Sequence, residues 1–142
     1  MSVICPIQRT GDVYVAVSRA RDLATAMGFS PADRARIEIA TTELARNLIV
    51  HAGGGTLTFS QVNDPAHGPG LVVESHDHGP GIANLELALQ DGYSTARGLG
   101  AGLPGVRRLM DAFTIESTVG VGTWVRAVKW VIRPRRSSIY GR

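Results

Sequence analysis

The sequence predicts an α+β protein, a two-layer sandwich in which helices cover one face of a single sheet. Three observations lead there. The chain has 142 residues, 44% of them hydrophobic and 19% charged, which suits one globular domain with its own core. Its later strand-like segments come in pairs joined by turn residues, which favours an antiparallel-leaning sheet. Its amphipathic segments must then lie together on one face of that sheet.

The first elements are a strand and a short helix. Segment 12–18, DVYVAVS, alternates valine with other residues and is interpreted as a half-buried strand. The residues that follow have the i, i+3, i+4, i+7 spacing of one helix face: Ala20, Leu23, Ala24 and Met27. Gly28 then provides a residue type that commonly ends helices.

A longer helix is predicted next, and its signals are the strongest in the chain. Ser30 is suited to the N-cap, Pro31 to the first turn, and Asp33 follows two residues on. An apolar stripe formed by Ile37, Thr41, Leu44 and Leu48 runs along the segment, which ends at three consecutive glycines.

The remaining elements follow from turn residues and alternation. Segments 56–62 and 71–77 are predicted to form a hairpin around a turn that contains Pro and Gly. A short helical piece (84–92) precedes a glycine-rich loop, and a helix follows it at 106–112. Segments 113–118 and 122–132 are expected to form a closing hairpin.

Charge and composition indicate where the protein is located and which classes of partner to expect. The pI of about 9.6 suggests nucleic acid. However, the last ten residues contain four arginines, namely Arg133, Arg135, Arg136 and Arg142, and the rest of the chain is about neutral. We therefore expect a domain at 1–132 with a basic tail at 133–142, and no nucleic-acid partner. No apolar run reaches bilayer length, and Cys5 is a lone cysteine, so the expectation is a cytoplasmic protein without membrane contact.

The segment GLGAGLPGV (98–106) is the densest in glycine. Gly100, Gly102 and Gly105 match the dinucleotide fingerprint, but no strand precedes them and no ribose-binding acid follows at the required distance. The Walker pattern is also absent, because the only lysine, Lys129, lies in a predicted strand. What remains is a set of backbone N–H groups beside a helix that starts near Pro104, which suits a phosphate.

Polar residues in two other segments suggest parts of a site. Glu43 and Asn47 lie four apart on the long helix and therefore share a face beside the apolar stripe. Asp77 ends a strand directly before Gly79 and Gly81, where a carboxylate can accept a hydrogen bond from an amine. Taken singly, each has an ordinary alternative, such as an exposed polar face.

Two smaller features complete the set. Thr123 opens the last strand with a hydroxyl, although a simple strand-entry residue would look the same. A zinc site at His76 and His78 is not expected, because strand alternation directs Asp77 to the opposite face.

In this order, four motifs resemble the N, G1, G2 and terminal boxes of the GHKL ATPase superfamily, which has the Bergerat fold: Glu43-x-x-x-Asn47, Asp77-x-Gly79-x-Gly81, Gly98-x-Gly100-x-Gly102 and Gly120-x-Gly122-Thr123. Longer segments such as TELARNLIVHAGGG and DGYSTARGLGAGLPGVRRLMDAF are similar to the RsbT-type switch serine/threonine kinases of bacterial stressosomes. The resemblance implies a mixed sheet, helices on one face and a glycine-rich ATP lid.

The resemblance also implies a role for each matching residue. Glu43 would be the general base, Asn47 would hold Mg²⁺, and Asp77 would bind the adenine amino group. Gly81 and Thr123 would line the base pocket. The full set of residues that would contact ATP is Asn47, Asp77, Gly79, Gly81, Arg97, Gly98, Gly100, Gly102, Leu103 and Thr123.

By the same resemblance, the protein would phosphorylate Ser or Thr of STAS-domain proteins and then bind and activate a PP2C-type phosphatase. Two alternatives stay open. One is an anti-sigma factor kinase of the RsbW or SpoIIAB type, and the other is a non-catalytic binding switch that ATP controls. The chain departs from the family pattern in its arginine-rich tail and in Arg97, which stands where a more glycine-rich lid is expected.

Overall fold

The computed structural model describes residues 2–90 and 102–132. In chain order, the elements are β1 (Ser2–Ile7), α1 (Thr10–Met27), α2 (Pro31–Ala52), β2 (Gly55–Asp64), β3 (Gly68–His76), α3 (Leu85–Ala88), α4 (Gly102–Leu109), β4 (Ala112–Thr118) and β5 (Gly122–Trp130). The strands form one sheet in the order β1-β2-β3-β5-β4. The predicted two-layer α+β architecture is confirmed. The sheet is not mixed, since every pairing among the described residues is antiparallel.

The segment predicted as a first strand is helical, so that prediction was wrong. Residues 12–18 belong to α1, which buries Val13, Ala16, Ala20 and Ala24 at helical spacing. Val15, which strand alternation would bury with Val13, is 54% exposed. Burial of the small alanine side chains decides the outcome, because they let α1 pack closely on α2.

The start of α1 is fixed by a carboxylate. Oδ2 of Asp12 accepts hydrogen bonds from the backbone N–H groups of Gln8 and Arg9, at 2.8 and 3.1 Å. These two donors hold the pKa of the Asp12 carboxyl below its usual value. The helix ends at Gly28 in the left-handed conformation, as predicted.

The long helix α2 has the predicted ends. Ser30 is the N-cap, and its side chain accepts a hydrogen bond from the N–H of Asp33 at 3.1 Å. Gly53 ends the helix in the left-handed conformation. The predicted apolar stripe is buried, with Ile37 and Leu44 at 0% and 1% exposure. This helix therefore spans the sheet and carries its polar residues past the core.

Strand β1 was not predicted. It pairs with β2 at one edge of the sheet, a position that tolerates Pro6, which has no N–H to donate. Its Cys5 is buried against the core, and this burial raises the pKa of the thiol.

The connections at the other edge bring the candidate site together. The two predicted hairpins, β2–β3 and β4–β5, are confirmed, and β5 lies between β3 and β4. The end of β3 therefore lies beside the start of β5. Arg97, Gly98 and Gly100 of the predicted lid, and the tail at 133–142, lie outside the described residues. No helix in the described part of the chain is long and apolar enough to cross a membrane.

Candidate functional site

A cavity of about 730 Å³ opens between α2 and the strand ends of β3 and β5. This volume is within the range of small-molecule binding sites. Its walls come from α2, from the segment after β3, from α3, from the start of α4 and from β5. The lining residues are Leu44, Asn47, Leu48, His51, Ala52, Ser75, Asp77, Pro80, Gly81, Ile82, Ala83, Asn84, Ala88, Gly102, Leu103, Thr123 and Val125.

Asp77 is held on this wall by two backbone donors. Its Oδ1 accepts the N–H of Gly79 at 2.8 Å and the N–H of Thr123 at 3.2 Å. The N–H of Asp77 also donates to the carbonyl oxygen of Thr123 at 3.0 Å. Within the described residues, its second carboxylate oxygen has no hydrogen bond. The carboxylate is thus fixed in orientation and keeps an acceptor for a ligand.

Two glycines allow the backbone segments at this end to approach closely. Gly81 has φ +77°, and a Cβ on it would collide with the carbonyl oxygen of Thr118. Gly122 has φ +146°, and a Cβ on it would collide with the carbonyl oxygen of Asp77. Both positions therefore require glycine for conformation and for space.

The face of α2 that lines the cavity has helical spacing. Leu44, Asn47, Leu48 and His51 stand on its wall. Asn47 contributes the amide that the sequence singled out, and Leu44 and Leu48 contribute apolar side chains. These four positions have the i, i+3, i+4, i+7 spacing of one helix face. The sequence therefore contained a signal for this wall, beginning at Leu44.

Glu43 lies just behind this wall. Its side chain is buried, with the residue 6% exposed, and its Oε1 accepts the N–H of Gly102 at 3.1 Å. Gly102 is the first residue of α4 and has φ +72°. The bond therefore joins the long helix to the glycine-rich segment, and the N-terminal N–H groups of α4 suit the negative charge of the carboxylate.

Ser117 was missed by the sequence analysis. Its hydroxyl oxygen accepts the N–H of Ile82 at 2.7 Å and lies 2.7 Å from the hydroxyl oxygen of Thr123. It is also 3.3 Å from the carbonyl oxygen of Gly122. A lone serine in a strand has no distinctive sequence pattern, so no signal could have singled it out.

The structure brings most of the predicted site residues together. The cavity wall includes Asn47, Asp77, Gly81, Gly102, Leu103 and Thr123. Gly79 does not line the cavity, but it packs against Ala52 and bonds to Asp77. Glu43 reaches the same place through Gly102. The described residues include no group of three His, Cys, Asp or Glu placed to hold a metal ion.

Comparison with known proteins gives one family and a set of relatives. The family model described as Histidine kinase-like ATPase domain matches residues 8–129. The chain is 45% identical over 120 residues to the Serine/threonine-protein kinase RsbT of Bacillus subtilis, covering 84% of this chain and 90% of that protein. It is 30% identical over 100 residues to an Anti-sigma F factor of a Thermoanaerobacter species, covering 68% of this chain and 70% of that protein.

Two solved structures share the fold. The RsbU and RsbW domains of a Mycobacterium tuberculosis protein match with a TM-score of 0.65 and 15% identity over 96% of this chain. This chain spans 34% of that longer one. The SiaB-SiaC complex of Pseudomonas aeruginosa matches with a TM-score of 0.61 and 16% identity, covering 90% of this chain and 89% of the matched chain.

Proposed function

The chain belongs to the family of histidine kinase-like ATPase domains, and we propose that it binds ATP in the cavity and transfers the γ-phosphoryl group to a Ser or Thr of a partner protein. The relative with 45% identity is named a serine/threonine-protein kinase, so the enzyme class is that of a protein kinase. The bond between Glu43 and Gly102 is the observation that carries the proposed chemistry. It joins a buried carboxylate to a residue of the cavity wall, and Asp77 supplies a fixed acceptor on the same wall.

At the base end, Asp77 receives the adenine amino group. Because its Oδ1 is already occupied by two backbone N–H groups, the other oxygen is the one that accepts from the ligand. Gly81 and Thr123 line the same cavity. A carboxylate acceptor favours a base with an amino group over one with a carbonyl at the same place.

At the phosphate end, Asn47 would hold Mg²⁺. An amide oxygen is a hard ligand that suits this ion, and Mg²⁺ sites usually take their other ligands from phosphates and water. Bound there, the ion would neutralise the charge of the phosphates. Asn47 lies one helical turn beyond Glu43, so a metal there and a base at Glu43 would face the same region.

Glu43 would take the proton from the partner's hydroxyl. Phosphoryl transfer depends mainly on alignment and charge neutralisation, with a carboxylate to receive that proton. The hydrogen bond from Gly102 holds the carboxylate in one orientation. We further propose that Arg97, Gly98 and Gly100, together with Gly102 and Leu103, wrap the β- and γ-phosphates.

The proposed partners are a STAS-domain protein as substrate and a PP2C-type phosphatase as the protein that is activated, in a partner-switching stress response in the cytoplasm. The similarity to a kinase named RsbT supports this choice. The relatives named Anti-sigma F factor favour a second candidate, a kinase that binds a sigma factor. Pull-down from the native cell distinguishes the two by partner: a STAS protein with a phosphatase, or a sigma factor.

The test of the kinase proposal is incubation with γ-labelled ATP, Mg²⁺ and STAS-domain proteins encoded beside this chain. We expect label on a Ser or Thr of the partner. Glu43→Gln should lower the transfer rate by about 10²- to 10⁴-fold, the usual contribution of a general base, and leave ATP affinity nearly unchanged.

The matched control is Glu116→Gln, because Glu116 is an exposed carboxylate on β4. It should transfer at the rate of the unmodified protein. Transfer by Glu43→Gln at that same rate would remove Glu43 from the mechanism. A protein that binds ATP but labels no partner would be the non-catalytic switch instead.

A further inference from the structure

Ser117 joins three chain segments at the base end of the cavity. It lies on β4, and its hydroxyl contacts Ile82 after β3 and Thr123 at the start of β5. Ile82 and Thr123 both line the cavity. Ser117 stands behind these two residues, so it supports two parts of the wall with one oxygen atom.

The Ser117 hydroxyl can arrange its hydrogen bonds in only two ways. A serine hydroxyl has one proton to donate and two lone pairs. One lone pair accepts the N–H of Ile82 at 2.7 Å. The proton goes either to the hydroxyl oxygen of Thr123, at 2.7 Å, or to the carbonyl oxygen of Gly122, at 3.3 Å.

Both arrangements hold the Thr123 hydroxyl in one place. If Ser117 donates to Thr123, the proton of Thr123 is free to point into the cavity. If Ser117 donates to Gly122, Thr123 donates to Ser117 and presents its lone pairs to the cavity. The oxygen position stays fixed while its polarity adapts to the bound base.

We propose that Ser117 is a positioning residue for nucleotide binding, which fixes the Thr123 hydroxyl against the base. This inference rests on the proposed ATP site. Within the described residues, the hydrogen bonds of Ser117 all lie at the base end. Ser117 therefore contributes to ATP affinity and leaves the transfer step unchanged.

The experiment is a double-mutant cycle with Ser117→Ala, Thr123→Val and the double variant, in the full chain. ATP affinity is measured by calorimetry, and kcat and KM for ATP are measured in the phosphorylation of the STAS-domain partner. Ser117→Ala should raise the Kd and KM for ATP about tenfold, the loss expected for one hydrogen bond, with kcat within about twofold of the unmodified protein. Thr114→Ala, which removes an exposed hydroxyl from the same strand, is the matched control and should change neither constant.

The coupling between the two substitutions shows whether Ser117 affects ATP affinity through Thr123. If Ser117 acts through Thr123, Ser117→Ala should weaken ATP binding less than about threefold in the Thr123→Val background, because its partner is already absent. Multiplicative losses, or an unchanged Kd for Ser117→Ala, would overturn the inference. Ser117→Cys, which keeps the side-chain size and only weak hydrogen bonding, gives the same reading if the alanine variant does not fold.

The cycle also separates this inference from the proposed function. If the unmodified protein does not bind ATP, or if Thr123→Val and Asp77→Asn both bind it normally, the cavity is not the nucleotide site and the proposed function fails. If those two variants bind poorly and Ser117→Ala binds normally, the site stands and only the role of Ser117 is rejected.

Discussion

Strand β5 directs a polar side chain toward the helices at each end, and the two ends differ in what satisfies it. At its start, the Thr123 hydroxyl meets Ser117 and stands on the cavity wall beside Asp77. We call Asp77, Ser117 and Thr123 the base-pocket network. Its members are half-buried, and it retains a carboxylate oxygen that the described residues do not use.

At its other end, Lys129 is enclosed by protein groups. The residue is 2% exposed, and its ammonium donates to the carbonyl oxygen of Leu109 at 2.8 Å. The ammonium nitrogen lies 3.3 Å from Oδ1 of Asp111 and 3.7 Å from Oδ1 of Asp33. We call Lys129, Asp33 and Asp111 the lysine cluster. It joins the start of α2 to the end of α4 and the beginning of β4.

The comparison shows that burial of polar groups does not by itself mark a site. In the lysine cluster, protein groups from several elements contact the buried ammonium, so the cluster holds those elements together. The base-pocket network leaves a carboxylate oxygen of Asp77 on a cavity wall, where it can accept a hydrogen bond from a ligand. Changes to the first should therefore alter stability, and changes to the second should alter ligand affinity.

The largest effect is expected from Lys129→Met. Removal of the ammonium takes the buried cation away from Asp111 and Asp33 and breaks the hydrogen bond to the carbonyl oxygen of Leu109, and it should lower the free energy of unfolding by roughly 3 kcal/mol. Urea denaturation measures the change. Arg21→Met, which removes one partner of an exposed ion pair with Glu38, should cost less than about 1 kcal/mol. An equal loss of unfolding free energy in the two variants would contradict the stabilising role of the lysine cluster.

Asp77→Asn should have the opposite profile. The amide oxygen still accepts from Gly79 and Thr123, so the fold should be little changed, whereas the charged acceptor is lost. We expect the Kd for ATP to rise about 10- to 100-fold, as for the loss of a hydrogen bond to a charged group. Asp64→Asn changes a carboxylate that accepts from Ala66 and His67 far from the cavity, and its ATP affinity should stay normal.

The smallest effect concerns Asp12, which belongs to neither end of β5. Because its pKa is lowered in the folded protein, its carboxylate stabilises the fold above its unfolded pKa of about 3.9, and that contribution disappears as the pH falls through the folded pKa. Asp12→Asn should therefore lose less stability on acidification than the unmodified protein. Denaturation curves between neutral pH and pH about 2 test this, and parallel curves for the two proteins would contradict it.

The sequence predicted those parts of the fold that depend on local signals. Ser30 with Asp33, and the glycines that end α1 and α2, fixed helix ends that the structure confirms. The valines of 12–18 were misleading, because β-branched alternation is a weak preference that packing overrode. Strand β1 lacked a clear alternating pattern, and it exists because β2 offers it an edge to pair with.

The residues of the cavity wall were predicted in part. Motif spacing identified Asp77, Gly81 and Thr123, which the fold brings to one wall. What spacing could not show is the contact between residues far apart in sequence, such as Glu43 with Gly102 and Ser117 with Ile82. These contacts depend on the strand order, which no short segment of the chain specifies.

The buried position of Cys5 on the edge strand gives the protein a natural reporter. It is the single cysteine of the chain, so any thiol reagent reads one position without engineering. The core shields it and the thiol is kept protonated, so labelling requires β1 to detach from β2. The modification rate would then measure how often this edge opens under native conditions, and whether nucleotide added to the protein changes that frequency.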